Sequence, residues 1–470
     1  MPSLVIIGGG PGGVDAALAA RQLGADVTLI ERGALGGSAV LMDVVPSKSL
    51  ISAGQVVGRI SEAQSLGIRL KNGGKNLWDG LEIDFRTVTT GIRNLAAAQS
   101  RDTTESLRAA GVHVVAGHGR LDGPRRVVAE TAEGELTFDP DVVLLAVGGH
   151  PRVLDTARPD GERILGWQQI YDMTELPEHL IVVGSGVTGA EFSSAFRSFG
   201  SQVTLVSSRD QILPGQDADA AAVIAKVFAD RGIEVLNNAH AESVTRDGDG
   251  VVVALADGQQ VHGSHCVVAV GAIPNTAGLG LEAAGVEMRR SGHIRVDEVS
   301  RTSVRGVYAS GDCTDGMKLA SVASMQGKIA VWHALGDAVA PLNLRTVAAG
   351  IYTTPEVAAV GIGEADVQAG VVRARSVTVP LATNARTKMK DFDGGFIKLF
   401  ALPVSHIVVG GVIVSLYATE LIHSISLAVA CRLTVEQVAE AFTVYPSLSG
   451  SIAEAATRLR GHEESELVLP

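Results

Sequence analysis

A chain of 470 residues exceeds what one hydrophobic core can organise and fits about two to four domains. With 46% hydrophobic and 19% charged residues it has the means to pack, and composition excludes a disordered polymer. The formal net charge of −12, from 39 basic and 51 acidic residues without long runs of one sign, argues against nucleic-acid binding.

The apolar run 4–7 stops at three glycines, too short for a signal peptide or a membrane span, and reads as a buried first strand. No later stretch reaches about 18 uninterrupted apolar residues, so a soluble chain without stable membrane insertion is expected. A helix over 14–23 and a strand over 26–31 complete a strand–helix–strand unit. Gly8, Gly10 and Gly13 form G-x-G-x-x-G at its turn, and Glu31 ends the second strand. Glycines there let the backbone approach a pyrophosphate at a helix N-terminus, where orphan N–H groups favour negative charge, and Glu31 can accept the hydroxyls of an adenosine ribose. Helical spacing follows over 50–63 and 88–107, then a buried-strand run over 142–147 ending in Gly148.

The same grammar recurs with a strand over 180–183, the glycines Gly184, Gly186 and Gly189, a helix over 191–199 and a strand over 202–206. Two fingerprints imply two nucleotides. The second strand here ends Val206-Ser207-Ser208-Arg209, so the acid that would hold a free 2′-hydroxyl is missing and a base stands nearby. Arg209 can pair with a 2′-phosphate, so NADPH should be accepted alongside NADH, though a solvated surface arginine is an equal reading.

From about 341 the glycine fingerprints cease. Apolar alternation over 346–360, strands over 396–402 and 407–414, and helices over 420–431 and 435–442 describe an α+β region. The three cysteines, Cys266, Cys313 and Cys431, match no metal-ligand spacing and form no C-x-x-C pair, so no metal site is expected and a reducing cytoplasm suits them.

Thr302 and Tyr308-Ala309-Ser310-Gly311-Asp312 resemble the T-x5-Y-A-x-G-D motif with which flavoproteins having two dinucleotide domains hold FAD. Together with both fingerprints, the order of motifs from about 4 to 455 resembles the flavoprotein pyridine nucleotide-disulfide oxidoreductases, the family of lipoamide dehydrogenase and glutathione reductase. The resemblance implies an α/β fold: two Rossmann-like domains, for FAD and NAD(P), and a C-terminal α+β dimerisation domain. The expected segments are 1–151 and 276–340 for FAD, 152–275 for NAD(P) and 341–470 for the interface. It further implies that Gly36, Gly37 and Ser38 border the FAD pyrophosphate, Gly119 meets the adenine, Gly148 falls in an A-T-G turn, and Asp312 bonds a ribityl hydroxyl. Leu319 and Ala320 would open a helix aimed at the flavin pyrimidine, and Gly271 begins the counterpart of the family's G-R-x-P-N turn near the nicotinamide. Lys48, paired with Glu191, is expected beside the hydride-accepting edge of the flavin.

Three breaks in the pattern agree. Where the family writes G-G-x-C-x-x-x-x-C-x-P-S-K, this chain carries Ala39 and Val44 in place of both thiols. The C-terminal H-P-T-L-S-E, which brings a base and its carboxylate from the partner subunit, reads Tyr445-Pro446-Ser447-Leu448-Ser449-Gly450. Disulfide exchange needs a thiolate, a second thiol and a base, and none remains. The resemblance is therefore to the cysteine-free NAD(P)H quinone reductase branch: an FAD enzyme passing electrons from NADPH or NADH to a quinone or dye through the space that Ala39 and Val44 open. Tyr445 would stack on the acceptor or simply replace the histidine in packing. A soluble pyridine nucleotide transhydrogenase is the alternative. The roles of Asp43, Arg386 and Lys388 stay open, and a homodimer is implied by the family alone.

Overall fold

The computed structural model describes residues 1–64, 66–69, 80–392 and 394–460, without the side chains of Ser61 and Glu62. The last ten positions of the expected interface segment, 461–470, lie outside the described residues. The chain divides into two compact units. The first gathers Met1–Pro177, Ser243–Val252 and His262–Asn343; the second gathers Glu178–Glu242, Val253–Val261 and the segment from Leu344 onward.

The first unit is built on five parallel strands in the order Val307–Ala309, Val142–Leu145, Ser3–Ile7, Asp26–Glu31, His113–Ala116. Val142–Leu145 throughout and Ser3–Ile7 over 4–7 are buried on both faces, and so they read as continuous apolar runs. Alternation sorts their side chains: Leu4 and Ile6 join Ala16, Ala17 and Ala20 of the first helix in one core, while Val5 and Ile7 join Val127 and Ala129 in a second. Val127 and Ala129 come from an antiparallel meander of His118–Leu121, Val127–Thr131 and Gly134–Phe138. The first helix, Pro11–Gln22, presents small residues because the helix Ala320–Ala334 lies against it; a side chain at Gly327 would strike the Gly12 carbonyl.

Where the sequence places a helix over 50–63, the structure starts it earlier, at Val44, and runs it to Glu62. Pro46 hides that start from a periodicity reading, yet it is tolerated in a first turn, where its missing N–H has no partner to lose. The next helix, Phe85–Ala109, is capped by Asp84, whose carboxylate accepts from the Thr87 N–H at 3.0 Å.

The second unit repeats the strand–helix–strand grammar in His179–Val183, Val187–Phe199 and Gln202–Val206, with Glu234–Leu236 as a third parallel strand. Its other half is a five-stranded antiparallel sheet ordered Ala348–Ile351, Glu356–Gly361, Val408–Ser415, Phe396–Ala401, Arg375–Pro380. Helices Ala418–Ala430 and Gly450–Arg460 cover one face, packing Ile422, Ile425, Ile452 and Leu459 onto Ile397, Leu399 and Ile413. Lys398, between Ile397 and Leu399, points the opposite way. Its ammonium meets Asp217 at 2.9 Å and Asp219 at 2.6 Å, with the Lys398 and Asp217 side chains only 4% and 5% exposed. Burial alone would lower the Lys398 pKa, but the two carboxylates outweigh it and raise the value above that of a free lysine.

Breaking a buried pair leaves an uncompensated charge. Lys398→Met should cost about 3 kcal/mol and lower the melting temperature by roughly 5–10 °C, while Asp219→Asn, at an exposed carboxylate, should cost under about 1 kcal/mol. Thermal unfolding of both variants checks this. Because the Lys398 pKa is raised on folding, the stabilisation is complete below the ordinary lysine pKa and fades as pH climbs through the raised one.

Candidate functional site

A cleft of about 500 Å³ runs through the first unit along the carboxyl ends of its parallel strands, the place where open α/β sheets bind ligands. Its floor is the first fingerprint, and the three glycines there serve three ends. Gly8 has φ of +106°, and a side chain on it would strike the Ala146 carbonyl. Gly10 faces the cleft with nothing nearer to a built Cβ than the Gly37 Cα at 4.0 Å, which leaves the backbone open to a ligand. Gly13 is a packing glycine: a Cβ there would drive into the Gly8 carbonyl, prying helix from strand.

Glu31 closes one end. Its Oε2 accepts from the Gly9 N–H at 2.6 Å and its Oε1 from the Gly33 N–H at 2.8 Å, so the carboxylate is fixed while each oxygen keeps a lone pair for a hydroxyl. Gly37, Ser38 and Ala39 form the adjacent wall; Gly36, at φ +105°, stands behind them and donates its N–H to the Gly9 carbonyl at 2.7 Å. Gly119, Gly148, Asp312, Leu319 and Ala320 also line the cleft. Leu319 is the N-cap of the 15-residue helix Ala320–Ala334, whose positive end therefore opens into the same space.

Does this cleft fit FAD? Two observations of the protein itself say that it does. Ser310 lines the cleft, 1% exposed with its Oγ unpartnered against Gly12, and Glu31 offers a fixed carboxylate with a lone pair left on each oxygen for the hydroxyls of a ribose. The glycine floor leaves the backbone open at Gly10, where a built Cβ would meet nothing nearer than the Gly37 Cα at 4.0 Å, as close approach of a pyrophosphate requires. Desolvation raises the Asp312 pKa, against an opposing pull from Lys318 and His293, as befits a carboxylate whose partners arrive with a ligand.

Ala39 and Val44 both line this cleft, Ala39 in the short helix Gly37–Leu41 and Val44 as the first residue of the next helix, beside Asp43. Lys48 lies one turn further along that helix, outside the cleft lining, and Gly271, at φ +92°, likewise stands off it with its carbonyl accepting from the Arg152 N–H. The remaining thiols offer no substitute relay. Cys266 and Cys313 are buried, and burial pushes Cys313 up to about 12 and Cys266 higher still. Among the described residues no group of three or more His, Cys, Asp or Glu is placed to hold a metal ion.

The second fingerprint, in the second unit, has the same backbone logic. Gly184 has φ of +112°, Gly186 caps the helix Val187–Phe199, and a Cβ on Gly189 would strike the Gly184 carbonyl. The bond that ties turn to strand end differs in charge. In place of the Gly9 N–H and Glu31 carboxylate, the hydroxyls of Ser185 and Ser207 meet at 2.7 Å, and Arg209 is exposed just beyond. Glu191 on that helix is 3% exposed and accepts from the Tyr352 N–H at 2.9 Å, while Ser194 Oγ accepts from the Thr354 N–H. Tyr445 is 88% exposed, next to the exposed Val444 and Phe442. Asn384 steadies the base of that segment, its Nδ2 donating to Ser447 O at 3.0 Å and Ser451 Oγ at 2.9 Å, while Arg386 and Lys388 sit on the short helix it caps. Reading the sequence misses three cleft residues, Ser310 as an orphaned hydroxyl, His150 and Lys318; only their placement marks them.

The two packing glycines separate the two sites. Gly13→Ala should yield protein without bound flavin, and Gly189→Ala should yield yellow protein whose flavin NADPH no longer bleaches; absorbance spectra of the purified variants check both. Asp312→Asn should weaken FAD binding yet raise the melting temperature of flavin-free protein near neutral pH. A carboxyl whose folded pKa is raised opposes folding in full above that pKa, and the penalty fades as pH falls from the raised value to the ordinary carboxyl value.

Comparison with known proteins agrees with this geometry. Residues 2–327 match the family described as pyridine nucleotide-disulphide oxidoreductase, and residues 347–456 match its dimerisation domain. An NAD(P)H dehydrogenase (quinone) of Mycobacterium tuberculosis is 48% identical over 98% of this chain and 94% of its own. A dihydrolipoyl dehydrogenase of Zymomonas mobilis is 32% identical over 97% of this chain and 98% of its own. The crystal structure of LpdA from Mycobacterium tuberculosis superposes with a TM-score of 0.93 at 47% identity, covering 98% of this chain and all of that one. With two Rossmann-type domains, a dimerisation domain and a cleft fitted to FAD, the chain belongs to the pyridine nucleotide-disulphide oxidoreductase family and is an oxidoreductase that uses FAD and NAD(P)H.

Proposed function

We propose that this protein carries electrons from NADPH or NADH to a quinone, or to a dye of similar shape, and has no disulfide reductase activity. The observation that carries the reading is the pair Ala39 and Val44, two small apolar side chains lining the FAD cleft where the family keeps its redox thiols, with Val44 still 36% exposed. The name of the Mycobacterium tuberculosis relative, NAD(P)H dehydrogenase (quinone), points the same way. FAD supplies two-electron carriage between the nicotinamide and the acceptor. The overall balance is NADPH, a proton and a quinone giving NADP⁺ and a hydroquinone.

The residues take these parts. Gly8, Gly10 and the helix start behind them hold the pyrophosphate, Glu31 the adenosine ribose and Asp312 a ribityl hydroxyl. Leu319 and Ala320, at the start of their helix, would offer N–H groups to a flavin that gains charge on reduction. Lys48 and Glu191 would be the residues that steer the hydride. The hydroxyl pair Ser185 and Ser207 offers no negative charge at the far ribose of the second dinucleotide, which admits a 2′-phosphate beside Arg209 and leaves NADH admissible. A flat apolar acceptor fits the space beside Ala39 and Val44, and Tyr445, exposed in one protomer, covers it from the partner in a homodimer of cytoplasmic location. The dimerisation domain supports that assembly.

Purified protein should oxidise NADPH with a soluble quinone and leave lipoamide and glutathione disulfide untouched. Rapid turnover of either disulfide would end the proposal, and hydride transfer to a nicotinamide analogue at a rate matching the quinone would replace it with transhydrogenation. Tyr445→Ala should lower kcat/KM for the quinone about tenfold, a loss of about 1.4 kcal/mol, without slowing flavin reduction by NADPH in stopped flow. Tyr445→Phe distinguishes stacking, which it keeps, from hydrogen bonding, which it removes.

A further inference from the structure

The turn Gly271-Ala272-Ile273-Pro274-Asn275 departs from the G-R-x-P-N pattern at one position, where alanine replaces arginine. The structure shows a cation brought back to that turn from another part of the chain. Lys318, immediately before the N-cap Leu319, donates from Nζ to the Ala272 carbonyl at 3.1 Å. That carbonyl belongs to the strand Ala272–Pro274, which pairs antiparallel with Gly149–Pro151 and so fixes the edge of the cleft. Lys318 itself lines the cleft, together with Asp312, Leu319, Ala39, Asp43 and Val44.

Charge gives the arrangement its meaning. Of the residues lining the cleft, Arg32, which follows Glu31 in the chain, is the other permanently basic one. Besides Glu31 and Arg32, the charged residues lining the cleft are the carboxylates Asp43 and Asp312 and the cation Lys318. Its field reaches into the wall: it opposes the desolvation that raises the Asp312 carboxyl and adds to the desolvation that lowers the His293 ring. Lys318 is exposed and tethered by its hydrogen bond to the Ala272 carbonyl, and an ammonium beside a flavin that gains negative charge on reduction would favour the reduced form, by less than a buried one would.

We propose that Lys318 is a displaced replacement for the turn arginine, an electrostatic positioning residue that raises the reduction potential of the bound FAD. The claim rests on FAD binding in the cleft and not on the identity of the acceptor. Lys318 need not touch the reacting atoms. It is held by the Ala272 carbonyl so that its charge, next to the positive end of the helix Ala320–Ala334, adds to the field of that helix.

The test is the midpoint potential of the flavin in purified holoenzyme, read by equilibration with a reference dye in the absence of any quinone. K318M should shift the reduced-to-oxidised ratio about tenfold toward oxidised, roughly 30 mV for a two-electron couple. K318R should stay at the wild-type value. K318Q, which can still donate to the Ala272 carbonyl, should behave as K318M does if charge is the cause. The double variant K318M/A272R, which puts a cation back on the turn, should recover most of the shift. Unchanged potentials in K318M and K318Q overturn the proposal, and a fall in melting temperature without a change in potential would leave Lys318 as a structural clasp. A shift in K318M that A272R does not reverse overturns the replacement by showing that the two positions are not equivalent. Since quinone never enters the measurement, loss of the quinone reading and loss of this one are separable.

Discussion

The structure depends on how closely a polypeptide backbone can approach an anionic ligand. A pyrophosphate must meet N–H groups at a helix N-terminus, and a Cβ in the wrong place keeps it away. In the first unit that constraint is met by Gly8, turned to positive φ under the Ala146 carbonyl, and by Gly10, open toward the cleft. Gly13 answers a different demand, since the helix can begin that close to the strand only if nothing but hydrogen faces the Gly8 carbonyl. Small residues in the first helix then let the helix Ala320–Ala334 lie against it, and the N-terminus of that second helix opens on the same cleft. One packing requirement thus sets where two helix ends stand.

The second unit meets the same constraint with Gly184, Gly186 and Gly189 and changes one chemical detail. Each turn is tied to the end of the neighbouring strand through its second residue, by amide and carboxylate in the first unit and by two hydroxyls in the second. The tie is kept and the charge is dropped. The structural task of the bond is common to both units, and only its charge differs.

The scaffold around positions 39 and 44 stands without a redox pair. Val44 starts a 19-residue helix whose buried residues include Ser47, Leu50 and Ile51, and Ala39 lies in a short helix pinned through Gly36 to the Gly9 carbonyl. Catalytic groups carried on rigid elements can be exchanged while the elements stay in place. The buried Cys313, its thiol pushed up to about 12, is inert because a thiolate needs solvent or a cation, and Cys313 has neither.

Residue order alone determined what local chemistry dictates: both fingerprints, the strands 26–31 and 202–206 to the residue, the missing thiols and the missing base. Each is a matter of neighbours in the chain, and backbone conformation and thiol chemistry are read from neighbours. Tertiary structure decided what depends on residues far apart. The helix start at Val44 was obscured by Pro46, whose tolerance depends on lying in a first turn. Lys398 reads as one charge inside an apolar strand until Asp217 and Asp219 fold against it. Ser310 became an orphaned hydroxyl, and Lys318 a cation on the Ala272 carbonyl, only when the sheet brought 272, 310 and 318 to one cleft. Electrostatic and hydrogen-bond energies follow distance in space, and spacing along the chain does not encode it.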